Sequence, residues 1–147
     1  MNPTPSRVLQ GVAANLLGEV LPAIPTPFGQ QLVGIAAMLN MMVAEEFDRA
    51  ADRLVTENRI VRELLAAGRD LLGEHVPADV TQAIASPPAA SLRIADLQHE
   101  NDTLRAALIE LHAAVERTPG EAARAFEERI WAELIESTRG RHFSVRP

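Results

Sequence analysis

The sequence predicts an all-α protein: an amino-terminal helical bundle followed by a helical hairpin with a short heptad seam. Three observations predict it. Ile94, Leu97, Leu104, Leu108, Leu111 and Val115 recur at steps of three and four, and Asn101 fills the one gap. Phe28, Leu32, Ile35, Leu39, Met42, Phe47 and Leu54 mark a second, longer helical stripe. No run of alternating β-branched or aromatic residues reads as a strand, and no internal repeat is present.

Residues 1–5 form a Pro-rich lead, with Ser6 as N-cap and Arg7 opening the first helix. Leu9, Val12, Leu16 and Val20 give that helix its apolar face, and Pro22 and Pro25 are expected to stop it. Thr26 then caps a second helix with Pro27 at its first position. It runs to about Val55. From Leu32 to Ala44 only Gly34 and Asn40 are not apolar, so this stretch asks for cover on every side. A third helix covers about 57–72; it either continues the second through a kink near Thr56 or follows a break there, and the break is favoured.

Gly68 and Gly73 weaken the end of that helix, Pro77 closes the region, and 79–85 suits a short helical turn. The segment 86–90, SPPAA, reads as a stiff linker. The chain is therefore expected to divide into a bundle at 1–85 and a hairpin at 91–147. The heptad helix covers about 91–117, Thr118-Pro119-Gly120 turns the chain, and Ala123, Phe126, Ile130 and Leu134 face inward from a last helix over 121–138. Gly140 ends it. Arg139, Arg141, His142 and Arg146 make a small basic tail, suited to an acidic partner or to the chain's own acidic stretch.

Composition narrows the chemistry. The net charge of −6 over 147 residues argues against a nucleic-acid binder built on phosphate neutralisation. There is no cysteine, and all 14 basic residues are arginine, so thiolate, Schiff-base and P-loop lysine chemistry are excluded. Tyrosine is absent as well. No signal peptide is read in MNPTPSRVLQ, and the Leu32–Ala44 run falls short of the roughly 20 residues that span a bilayer. No membrane association and a cytoplasmic location are expected.

No catalytic, cofactor or metal site is expected. Glu45, Glu46, Asp48 and Asp52 lie among Arg49 and Arg53, with Glu45–Arg49 and Arg53–Glu57 as i,i+4 pairs, the pattern of a solvated face. Met38, Met41 and Met42 suit core filling better than a soft metal. His99 and His112 lie about 220° apart around one helix, and no Glu-x-x-His pair exists. No cofactor is called for, and no catalytic motif such as G-x-S-x-G or H-E-x-x-H is present.

Residues 16–24 (LLGEVLPAI) and 31–65 (QLVGIAAMLNMMVAEEFDRAADRLVTENRIVRELL) resemble a family of small bacterial all-helical proteins of unknown function. In that family an EVLP-like helix end precedes a long Ala/Asn/Glu-rich helix and a short Leu-rich one. The resemblance spans residues 8–73. The family often accompanies genes for aminoglycoside-phosphotransferase-like kinases and acyl-CoA dehydrogenases. It implies an accessory role beside such a metabolic enzyme and supplies no catalytic residues. Gln30 or Gln31 stands where the family carries a basic residue.

Two functions follow. The first is a non-enzymatic interaction protein that forms a homodimer or higher homo-oligomer through a coiled-coil interface. That interface would use Ile94, Leu97, Asn101, Leu104, Leu108, Leu111 and Val115, with Asn101 setting register. The apolar run of the second helix is a further candidate for an oligomer core. The alternative is a small-molecule, acyl-type binding protein. Its pocket would lie between the first two helices, near Asn15, Met38, Asn40 and Met42.

Overall fold

The computed structural model describes residues 2–144 and is all-α; none of the described residues lies in a strand. The elements in chain order are α1 (Pro5–Asn15), a π turn (Leu16–Val20), the short α2 (Leu21–Ala23), α3 (Pro27–Leu72), a 3-10 turn (Gly73–His75), α4 (Ala78–Ala85), α5 (Ile94–Glu116) and α6 (Glu121–Arg139). They group into two units. One holds the residues up to Ala50 with those from His142 on; the other is Ala51–Arg141.

The cap of α1 lies two residues before the expected one. Thr4 is the N-cap, its hydroxyl accepting from the Arg7 N–H at 3.5 Å, and Pro5 occupies the first turn. Ser6 is buried instead. The helix also does not stop at Pro22. A proline inside a helix lacks an N–H and clashes with the carbonyl four residues back. The π turn over Leu16–Val20 widens the backbone just before it, with the Leu21 N–H donating to the Leu16 carbonyl. Pro22 then sits in the first turn of α2. Thr26 caps α3 as expected, accepting from the Gly29 N–H at 3.2 Å, with Pro27 as the first helical residue.

The break expected near Thr56 is absent. Helix α3 is uninterrupted over 46 residues, because no Gly or Pro falls between Gly34 and Gly68 to break it. Nor does the 86–90 segment divide the chain. The second half of α3, α4, α5 and α6 share one core, in which Leu64, Leu65, Val80, Leu104, Leu111, Val115 and Ile130 are essentially inaccessible. Each large side chain buried there contributes about 1.5–3 kcal/mol of transfer free energy. Gly68 lets α3 approach α5 closely: a Cβ there would lie 2.5 Å from the Leu111 side chain. At the turn between α5 and α6, Gly120 has φ 124° and ψ 164°, a conformation essentially restricted to glycine.

The amino-terminal unit is built differently. Its buried residues are Ser6, Ala13, Ala37, Ala44 and Ala50, all small. Its carboxy-terminal piece is held on α3: Ser144 donates its N–H and hydroxyl to Glu45, at 3.0 and 2.6 Å, and Arg49 donates to the His142 carbonyl at 2.7 Å and stacks 4.8 Å from the Phe143 ring. The contact uses Ser144 and a backbone carbonyl, whereas Arg139 pairs with Glu136 and Arg141 with Glu57. Arg146, the last basic residue of that tail, lies outside the described residues.

Candidate functional site

The heptad seam of α5 is filled within its own chain. Leu97, Asn101, Leu104, Leu108, Leu111 and Val115 are all buried, and only Ile94 is open, at 46%. Asn101 finds its partner on α3: its amide donates to Asn58 Oδ1 at 2.8 Å. The seam therefore recognises the second half of α3, and the coiled-coil interface between copies expected on these residues is corrected by their burial here.

Two polar residues complete this layer: Asn58, which no motif marked, and Glu57, expected only as the i,i+4 partner of Arg53. Asn58 donates to the Leu97 carbonyl at 3.0 Å and to Glu100 at 3.1 Å. Glu57, 5% exposed, gathers Arg141 at 2.7 Å, Arg105 at 3.4 Å, Arg53 at 3.5 Å and the Ser137 hydroxyl at 3.2 Å. Burial pushes the Glu57 carboxyl up, but Arg141, Arg105 and Ser137 together outweigh it and hold the group below the ordinary 4.5. The signal was present in the spacing: Leu54, Glu57, Asn58, Val61, Leu64 and Leu65 lie on one helical face, so two polar residues stand on the core stripe.

An open cleft of about 630 Å³ lies beside this layer, between α3 and the connector from α4 to α5. Val55, Ala66, Ile84, Pro88, Leu92 and Leu97 give it an apolar lining; Asn58, Arg59, Arg62, Glu63 and Glu100 supply the polar edge. Arg62 builds one wall. It pairs with Glu100 at 2.7 Å and donates to the carbonyls of Ala83, Ser86 and Pro87 at 3.3, 3.0 and 3.3 Å. Glu100 accepts the Ala89 N–H at 3.0 Å. Burial raises the Glu100 carboxyl, while the Ala89 N–H, Arg62 and Asn58 outweigh it and bring it below 4.5. The Pro-rich connector is thus tied down at three backbone groups, and the end of α4 at one.

The pocket expected between the first helices is not the cleft observed. Asn15 is exposed, Met38, Asn40 and Met42 are half-buried, and the Asn40 amide turns back to the Ala36 carbonyl of its own helix at 2.8 Å. What that region does present is an apolar face. Phe28, Leu32, Ile35 and Leu39 are 71, 51, 41 and 51% exposed. With half-buried Met42 they follow steps of four and three along α3, and Val43, 54% exposed, lies one turn beyond Leu39. On α1 and the π turn, Val8, Val12 and Leu17 are 43–47% exposed.

A third group of side chains lies on the α5–α6 hairpin. His112, Glu116 and Glu127 place one ligand-capable atom each within 4.8 Å of the others. The acidic stretch on α3 is instead an ion-paired face, with Arg49 3.0 Å from Glu45 and 3.2 Å from Glu46. No helix among the described residues is long and apolar enough to cross a membrane. Comparison with family models, curated proteins and solved structures finds no match to this chain.

Proposed function

We propose that the protein is a non-enzymatic helical interaction protein, resident in the cytoplasm, that self-associates through the open face of α3 between Phe28 and Val43. One observation carries this reading. The amino-terminal unit fully buries only small residues and leaves Phe28, Leu32, Leu39 and Val43 at half exposure or more. Such an arrangement has little core of its own, and a unit of this size needs staples or a partner. The seam steps four and three, which is the pattern that interlocks with another helix of the same kind.

The size of the face fits the same partner. Phe28, Leu32, Ile35, Leu39 and Val43, with Val8, Val12 and Leu17, expose several hundred Å² of apolar side chain, an area that approaches without reaching the roughly 800 Å² that each partner gives to a standard interface. The accessory role beside a metabolic enzyme, implied by the resemblance of residues 8–73, remains part of the proposal.

The test is light scattering coupled to size-exclusion chromatography over a range of protein concentrations. A mass of twice 16.0 kDa or a higher multiple is expected. The double variant Leu32→Glu with Leu39→Glu should run as a 16.0 kDa monomer with its helical circular dichroism largely kept, since neither side chain is needed inside one copy. A wild-type monomer at every concentration would overturn the proposal.

A second reading rests on the 630 Å³ cleft, whose volume and apolar lining suit a small amphipathic molecule such as an acyl compound. Native mass spectrometry of freshly purified protein would show such a ligand as an added mass, and Ala66→Trp, on the cleft wall, should remove it.

A further inference from the structure

The α5–α6 hairpin carries a group of side chains that neither the core nor the apolar face uses. His112 and Glu116 stand at i,i+4 on α5, with His112 Nε2 3.7 Å from Glu116 Oε1, and Glu127 approaches from α6. Two observations set this group apart from an ordinary surface cluster. His112 Nε2 is buried and has no hydrogen-bond partner in the protein, although its side chain is only 16% exposed. A buried polar atom without a partner is rare in folded proteins and calls for an explanation, of which an ion is one. The imidazole is also held in place by a perpendicular contact with Trp131, ring centres 5.3 Å apart.

We propose that His112, Glu116 and Glu127 bind one divalent transition-metal ion, Zn²⁺ in the first instance, across the two helices of the hairpin. Zinc takes imidazole nitrogen and carboxylate oxygen at about 2.0–2.2 Å, so two tetrahedral ligands stand about 3.3 Å apart. The three atoms here, all within 4.8 Å, need to close by only about 1.5 Å at most. Glu116 is 54% exposed and has the rotamer freedom to do so. Three protein ligands leave a fourth position for water.

The choice of metal class follows from the neighbours. Arg117 and Arg124 line the same hollow as Glu116 and Glu127. They balance the two carboxylates, so long-range attraction for a cation is weak and affinity must come from coordination. That favours a metal with high affinity for imidazole over Ca²⁺ or Mg²⁺, which rely on clustered oxygen ligands. The spacing of the histidines along the chain hides this set, because two of its three ligands are carboxylates and one of them lies across a turn.

The experiment is calorimetric titration of the untagged full-length chain with ZnCl₂, alongside thermal unfolding with and without the ion. One ion per chain and a raised melting temperature are expected, because the ion ties α5 to α6 in the folded state alone. Glu116→Gln and Glu127→Gln keep the size of each side chain at open or half-open positions, so both should fold as wild type does. Each should weaken binding at least tenfold and abolish the thermal shift. No saturable binding in the wild type overturns the proposal. So does a loss below tenfold in both variants, which would place the ion at His75, His99 or His142.

Discussion

Asn101 shows how one polar side chain chooses a partner. It sits at 1% exposure among leucines and donates to Asn58, itself 3% exposed. Removing one member strands the other: Asn101→Ala should cost about 1–3 kcal/mol, the usual penalty for an unsatisfied buried group. Replacing both by leucine should cost less than the sum of the single changes. Urea unfolding of the three variants measures this; additive losses would mean that the two amides act independently. Asn101 was legible as a register-setting residue, but its partner was not. A heptad gap specifies a facing polar group without saying whether that group belongs to the same chain. Glu57 and Asn58 answer that, and their place in the core was hidden because an apolar count does not register polar residues that share the apolar stripe.

The two lowered carboxyls give the residue scale a pH dependence. Glu57 and Glu100 are ionised more readily in the folded chain than in the unfolded one. The unfolded chain therefore binds more protons in this range, and stability falls as pH falls. The contribution is complete above the ordinary 4.5 and is lost as the pH drops through the lowered folded values. Urea midpoints at pH 7, 5, 4 and 3 should fall over the acidic steps, and Glu57→Gln should flatten the decline. An unchanged acid limb in that variant would count against the Arg141 and Arg105 contacts as its cause.

At the scale of elements, the helices and turns were read well where caps and glycines mark them. Thr26-Pro27 opens α3, Thr118-Pro119-Gly120 turns the chain, and Gly140 ends α6, all as the spacing predicts. Errors fell where one local signal competed with another. Pro22 reads as a stop, yet a π turn absorbs it; Thr56 reads as a break, yet no Gly or Pro stands near it to interrupt the helix. The Pro-Pro connector reads as a free linker, yet Arg62 and Glu100 pin it, a long-range effect that no local window contains. Two substitutions probe the elements. Gly120→Ala forces a side chain into a φ of 124° and should cost about 1–3 kcal/mol. Gly68→Ala drives a methyl group into Leu111 and should cost about 1–3 kcal/mol through overpacking. Thermal melts with no loss at either position would contradict the packing described.

For the whole molecule, the useful contrast is between two apolar seams. That of α5 is satisfied inside its chain, so Leu104→Glu should unfold the carboxy-terminal unit; Leu104 is 0% exposed there. That of α3 is left open, so charges at Leu32 and Leu39 should change mass and leave the fold. Near-ultraviolet circular dichroism, which reports Trp131 on α6, separates the two cases. From sequence alone the seams look alike, and the one with the polar gap looks the better candidate for pairing between copies. Only the folded arrangement of α3, α4 and α6 around α5 reveals which seam has already been used.

The small-residue interior of the amino-terminal unit has a consequence for abundance. If pairing supplies the missing core, mass action ties the order of residues up to Ala50 to how many copies are present. A diluted protein would fray there first and offer Phe28–Val43 to any protease, while a concentrated one would be resistant. Limited proteolysis at increasing protein concentration, with the protease kept in fixed ratio, should then show cuts in this segment fading as concentration rises. The chain would in effect gauge its own supply, and stray single copies would be the ones removed.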